Sequence, residues 1–141
     1  MINYLKENAN PGDVILEYPG DDFSFDSRIS TFTGLPTVLG WVAHEWLWRS
    51  ENSSIDYPPI LQERSDDVNY LYTSGDIDYN KFLIQKYNIK YIIVGYMERF
   101  HVAGDDMKIP YEDELKKLGV VVFETNMNDL PYPSYIIKVG N

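Results

Sequence analysis

Short apolar runs alternate with amphipathic stretches along this chain, and turn residues separate them. Residues 2–9 carry the spacing of a short amphipathic helix, which Asn10-Pro11-Gly12-Asp13 ends. Val14-Ile15-Leu16-Glu17-Tyr18 is apolar enough to be a buried strand, closed by Pro19-Gly20-Asp21-Asp22. A polar and aromatic loop runs on to Arg28. Ile29 to Thr33 fits a short helix or an irregular turn, and Gly34-Leu35-Pro36 breaks it. Thr37-Val38-Leu39 reads as a second short strand. Gly40 then leads into a tryptophan-rich helix.

The polar stretch from Ser50 to Pro59, with Pro58-Pro59, predicts a loop. Ile60 to Thr73 has a helical pattern, with Ile60, Leu61, Val68, Leu71 and Tyr72 as its apolar positions. The next helix runs to Tyr87, with Asp78 as N-cap, Asn88 as C-cap, and Phe82, Leu83 and Ile84 turned inward. Lys90 to Gly95 is the clearest strand. A loop with Glu98, Arg99 and His101 follows it, then a short helix from Tyr111 to Leu118. Val120 to Glu124 and Tyr135 to Val139 are the last strands, joined by a turn region from Asn126 to Pro133.

Strands separated by helices predict an α/β fold of three layers with a mainly parallel sheet of about five strands. No helix separates the last two strands, so they should form an antiparallel hairpin at one edge. The expected core is Val14, Ile15, Leu16, Val38, Ile92, Ile93, Val94, Val121 and Phe123. The length of 141 residues suits one domain, and 44% hydrophobic residues can fill its core. Residues 1–141 are therefore expected to be a single soluble domain, monomeric and stable without metal.

Charge narrows the partners. A net charge of −10 and a pI near 4.5 argue against nucleic acid, which requires a basic patch, and against docking on anionic lipid. There is no cysteine, and no apolar run approaches a membrane span. Phosphate-binding glycine loops and the nucleophile elbow are absent. Two histidines 57 positions apart give no zinc pattern. No catalytic residue, metal or cofactor is assigned. Asn52-Ser53-Ser54 is a formal glycosylation sequon, of consequence only on an exported face.

All three tryptophans, one of the two histidines and one of the four arginines fall between Trp41 and Arg49. On a helix, Trp41, His44, Glu45 and Trp48 share one stripe, and Trp46 points away toward Val42 and Arg49. Core packing is the plain alternative for any one of these tryptophans. Burial of all three for stability alone is less expected, because each indole N–H needs a partner. In open parallel sheets, sites form beyond the carboxyl ends of strands. Three such ends carry the unusual residues: Asp21, Asp22, Asp26 and Arg28; Trp41, His44, Glu45 and Arg49; and Glu98, Arg99 and His101. The candidate ligand or interface residues are Arg28, Trp41, His44, Glu45, Trp48, Arg49, Glu98 and Arg99.

The stretch from Ser27 to Arg49, Ser-Arg-Ile-Ser-Thr-Phe-Thr-Gly-Leu-Pro-Thr-Val-Leu-Gly-Trp-Val-Ala-His-Glu-Trp-Leu-Trp-Arg, resembles a known family, as do Tyr87 to Gly95 and Glu98-Arg99. The resemblance is to the C-terminal domain of the archaeal and Chloroflexi YYY-type multi-pass membrane proteins, and it spans about residues 2 to 139. Those proteins are similar in layout to polyprenyl-phosphate-dependent glycosyltransferases. The resemblance implies a fragment of a larger membrane protein, positioned on the extracytoplasmic face of the cell membrane. It brings no activity, because the related transferases hold their catalytic acids in loops between membrane helices. The family pattern usually has Gly where Ala43 stands and Gln where Leu47 stands.

Two functional expectations follow. One is a non-catalytic accessory domain that binds or positions a glycan or a polyprenyl-phosphate sugar. The other is a structural interaction domain whose tryptophan face packs on the parent membrane portion or a partner subunit. A hydrolase using Asp21 or Asp26 with His44 has no motif behind it.

Overall fold

The computed structural model describes residues 1–22, 24–49, 57–125 and 131–140. The chain begins with α1 (Ile2–Asn8), β1 (Val14–Leu16), α2 (Arg28–Thr33) and α3 (Val42–Arg49). It continues with α4 (Pro59–Thr73), α5 (Ile77–Tyr87), β2 (Ile89–Val94) and α6 (Tyr96–Ala103). A short helix α7 (Glu112–Lys116) then precedes β3 (Gly119–Thr125) and β4 (Ser134–Val139). The sequon and the centres of both expected loops, 50–56 and 126–130, lie outside the described residues.

Four strands form one mixed sheet in the order β1-β2-β4-β3. This corrects the expected five-stranded, mainly parallel sheet. Only β1 and β2 run parallel, while β4 is antiparallel to both β2 and β3. The C-terminal hairpin is present as expected. The apolar run of β2 is buried on both faces, and such a run reports coverage, not the direction of its neighbours. The missing fifth strand is Thr37–Leu39, which makes a single bridge, Ile15 to Thr37. Its Val38 carbonyl is satisfied by Arg64 Nη1 at 2.9 Å, in place of a ladder.

Helices cover both faces. Alternate positions of β2 point opposite ways. Tyr91 and Ile93, with Ile15 and Ile136, meet Leu5 of α1 and Ile29 of α2. Ile92 and Val94, with Leu16 and Ile137, meet Val68, Leu71 and Tyr72 of α4, Leu83 and Ile84 of α5, and Leu115 of α7. Val14 and Phe123 of the expected core are only partly buried, and Val121 is exposed, because β1 and β3 are the edge strands. Ile60 and Phe82 also face solvent, unlike their neighbours Leu61 and Leu83.

Two helix starts differ from expectation. Asp76, not Asp78, caps α5, its carboxylate accepting from Tyr79 N at 3.0 Å. Asn88 closes that helix in the left-handed conformation, φ 52°, as an Asn C-cap should. The segment with Glu98, Arg99 and His101 is α6, not a loop. Glu98 reaches back to Gly95 N at 2.9 Å, so the acid expected in a loop is the device that starts the helix.

Candidate functional site

β1 and β2 run parallel, and the chain leaves their carboxyl ends toward the same edge. Glu17 follows β1 directly and is fully buried. Its two carboxylate oxygens accept from Ile29 N and Ser30 N, each at 2.9 Å. These are N–H groups of the first turn of α2, which no intrahelical carbonyl can satisfy. Burial pushes the Glu17 carboxyl above its ordinary range, the hydrogen bonds from Ser30 and Ile29 oppose that, and the charge of Glu98 adds to it. The loop between β1 and α2 turns at Gly20. A Cβ there would lie 2.1 Å from the Asp26 carboxyl, so no larger residue fits without moving the loop.

Asp26 is the centre of this loop. It is buried, and its Oδ1 lies 2.7 Å from His101 Nε2 on α6. Its Oδ2 accepts from Ser24 Oγ at 2.8 Å, and its backbone carbonyl accepts from Trp41 Nε1 at 3.0 Å. The His101 ring stacks on Tyr18, centroids 5.0 Å apart and planes 4° from parallel. One aspartate therefore ties together the three chain segments at this edge.

Trp41 precedes α3 and accepts from Glu45 N through its carbonyl. Asp22 sits at the start of the helix. One of its oxygens accepts weakly from His44 N at 3.4 Å, and the other lies 2.7 Å from His44 Nδ1. His44 contacts Trp41 on one side (5.5 Å, tilted) and Trp48 on the other (5.8 Å, edge-on). The stripe read from the sequence is thus a ladder of rings. Arg49 Nε pairs with Glu45 Oε2 at 2.6 Å, one turn apart. No residue of α3 is buried, and Trp48 is 80% exposed. Trp41 and Trp46 are half-buried, so none of the three tryptophans is a core residue.

Arg28 and Glu98 meet across the edge at 3.3 Å, with Glu98 fully buried and the Arg28 side chain 17% exposed. Arg28 therefore pairs with an acid on α6 and not with Asp21, Asp22 or Asp26, which stand nearer in sequence. Arg99 points elsewhere. It is buried and forks onto Glu112 at 2.7 and 2.9 Å, while also donating to the carbonyls of Met107 and Pro133. Burial alone would raise the Glu112 carboxyl, but Arg99, with Tyr135 and Lys116, holds it below its ordinary range. Arg99 thus fastens α6 to α7 and to the segment before β4, away from the tryptophan ladder.

A cavity of about 310 Å³ opens between α2, the loop before it and Trp41, lined by Ser24, Phe25, Arg28, Thr31, Phe32 and Trp41. Phe25 and Phe32 are both largely exposed there. Sequence reasoning missed them, together with Glu17, Tyr18 and the partner roles of Asp22 and Asp26. The two phenylalanines flank Arg28 at positions −3 and +4, a signal that the sequence did carry. Among the described residues, no group of three or more His, Asp or Glu is arranged to hold a metal. No helix of the described residues is long and apolar enough to cross a membrane. No protein-family model, no curated protein and no solved structure matches the chain. The fold itself defines a mixed α/β domain, with its unusual chemistry gathered at one edge of the sheet.

Proposed function

We propose that this chain is a non-catalytic accessory domain that binds the sugar portion of a glycan or lipid-linked sugar, within a membrane glycosyltransferase-like protein and on its extracytoplasmic face. The observation that carries the reading is the Trp41–His44–Trp48 ladder, exposed at its Trp48 end, beside Asp22, Glu45 and Arg49. Aromatic faces stack on sugar rings, and carboxylates and guanidinium groups bond hydroxyls with direction. The membrane context rests on the resemblance of residues 27–49 and 87–99 alone. Both histidines are engaged with aspartates, and among the described residues no nucleophile is set against either of them in the manner covalent catalysis requires. The isolated chain should therefore turn over neither a glycosyl donor nor a hydrolysable substrate.

The test is titration of the chain with oligosaccharides and with a polyprenyl-phosphate sugar, followed by tryptophan fluorescence. An affinity on the order of millimolar to high micromolar is expected for a site this shallow. Product formation from either ligand would overturn the reading. A second reading, an interface with the parent membrane portion, is favoured by the exposure of Leu47 (68%) next to Trp48. Silence toward every sugar, with retention of the chain on that membrane portion in a pull-down, would select it.

A further inference from the structure

The ladder is not the only aromatic surface here. The cavity between α2 and Trp41 has Phe25, Phe32 and Trp41 as walls and Arg28 among its lining residues. Its volume of about 310 Å³ lies at the low end of the roughly 300–1,000 Å³ typical of ligand pockets. That is room for a single ring. Phe25 is 78% and Phe32 59% exposed.

Two of its lining groups are held in place. Trp41 is fixed through its indole N–H to the Asp26 carbonyl, and Asp26 is itself held by Ser24 and His101. Arg28 is aimed by Glu98, which is locked to Gly95 N. Trp41 and Arg28, already oriented, lose less entropy on binding than a side chain with no such partner.

Charge decides the class of ligand. Arg28 is the only cation lining the cavity among the described residues. Its distances to Glu98, 3.3 and 3.5 Å, are longer than those of a tight guanidinium–carboxylate fork. The guanidinium carries more N–H groups than that pair uses, so it can still donate to a hydroxyl or ether oxygen. A phosphate or carboxylate would instead meet the buried Glu98 carboxylate that Arg28 already faces, in a chain of net charge −10. Like charges at such range are unfavourable, and the overall field repels anions on approach.

We infer that this cavity, and not the Trp48 face, seats the ligand ring, and that the ring is an uncharged sugar recognised without its phosphate. The inference rests on the glycan-binding reading above and narrows it. On a lipid-linked donor the domain would then grip the sugar and leave the phosphate outside the cavity.

The experiment follows amide and indole N–H shifts of the 141-residue chain by NMR. The probes are uncharged oligosaccharides (maltotriose, mannobiose and chitotriose) and the sugar phosphates mannose 1-phosphate and glucose 1-phosphate. Phe32→Ala and Trp48→Ala are compared with the parent, since both side chains are mainly exposed and their loss leaves the core intact. An uncharged sugar is expected to shift the Trp41 indole signal, and Phe32→Ala to weaken that response roughly tenfold while Trp48→Ala changes it little. Tighter binding of the sugar phosphates would overturn the ligand class. Loss of binding in Trp48→Ala but not in Phe32→Ala would overturn the cavity and leave the glycan reading standing. No response to any sugar would remove the glycan reading and this inference with it.

Discussion

Arg28 on α2 and Glu98 on α6 stand 70 positions apart in sequence and 3.3 Å apart in space, with the carboxylate fully buried. The same carboxylate caps α6 through Gly95 N, so one side chain both starts a helix and anchors an arginine. Arg28→Met removes the partner and leaves a buried charge. It should destabilise the chain by about 3–5 kcal/mol. Glu98→Gln keeps an acceptor for Gly95 N and should cost less, about 1–3 kcal/mol. Urea denaturation of both variants checks the order; equal, small losses would show that the pair is not a fastening.

Glu17 and Glu112 should act on stability with opposite signs as pH changes. Burial raises the Glu17 carboxyl above its ordinary value of 4.5, so the folded chain binds its proton more tightly than the unfolded chain does. Stability from this group is present below that value and is lost as pH rises through the raised value. Glu112 is lowered, so its contribution is present above 4.5 and is lost as pH falls through the lowered value. Gln at position 17 cannot ionise. The stability of Glu17→Gln relative to the parent should therefore improve as pH rises from about 4 to 7, by at most roughly 1.4 kcal/mol per pH unit. Melting across that range measures it, and a constant difference would contradict the assignment.

Arg99 should prove to be a structural residue. Its fork onto Glu112 and its bonds to two carbonyls are buried. Lys cannot reproduce the fork. Arg99→Lys should cost about 2–4 kcal/mol, while the same change at the exposed Arg49 should cost under about 1 kcal/mol. Thermal melting of the two variants side by side is sufficient, and similar losses at both sites would refute the distinction.

His101 should hold Trp41 at a distance, through Asp26. Replacing His101 by Leu leaves the buried Asp26 Oδ1 without its ring partner, a loss of about 1–3 kcal/mol. The Asp26 carbonyl also fixes the Trp41 indole, so the Trp41 N–H signal should shift in the variant. The Trp46 signal, on the other side of α3, should move less. An unchanged Trp41 signal would show that the network does not reach the ladder.

The periodicity of apolar residues was enough to place most helices and strands, because α4, α5, β2 and β4 each bury a regular face and their side chains obey the local geometry. The ladder was legible for the same reason: Trp41, His44 and Trp48 share a helical stripe whatever lies around it. Partners were not legible. The direction of β4 beside β2, the loss of Thr37–Leu39 as a strand and the pairing of Arg28 with Glu98 all depend on segments far apart in sequence. Glu17 shows the limit most sharply. Its neighbours mark it as part of a strand, but only the arrival of α2 provides the two N–H groups that allow a carboxylate to be buried there. Local sequence sets which face a residue takes; burial, charge and hydrogen-bond partners are set by what the fold brings against that face.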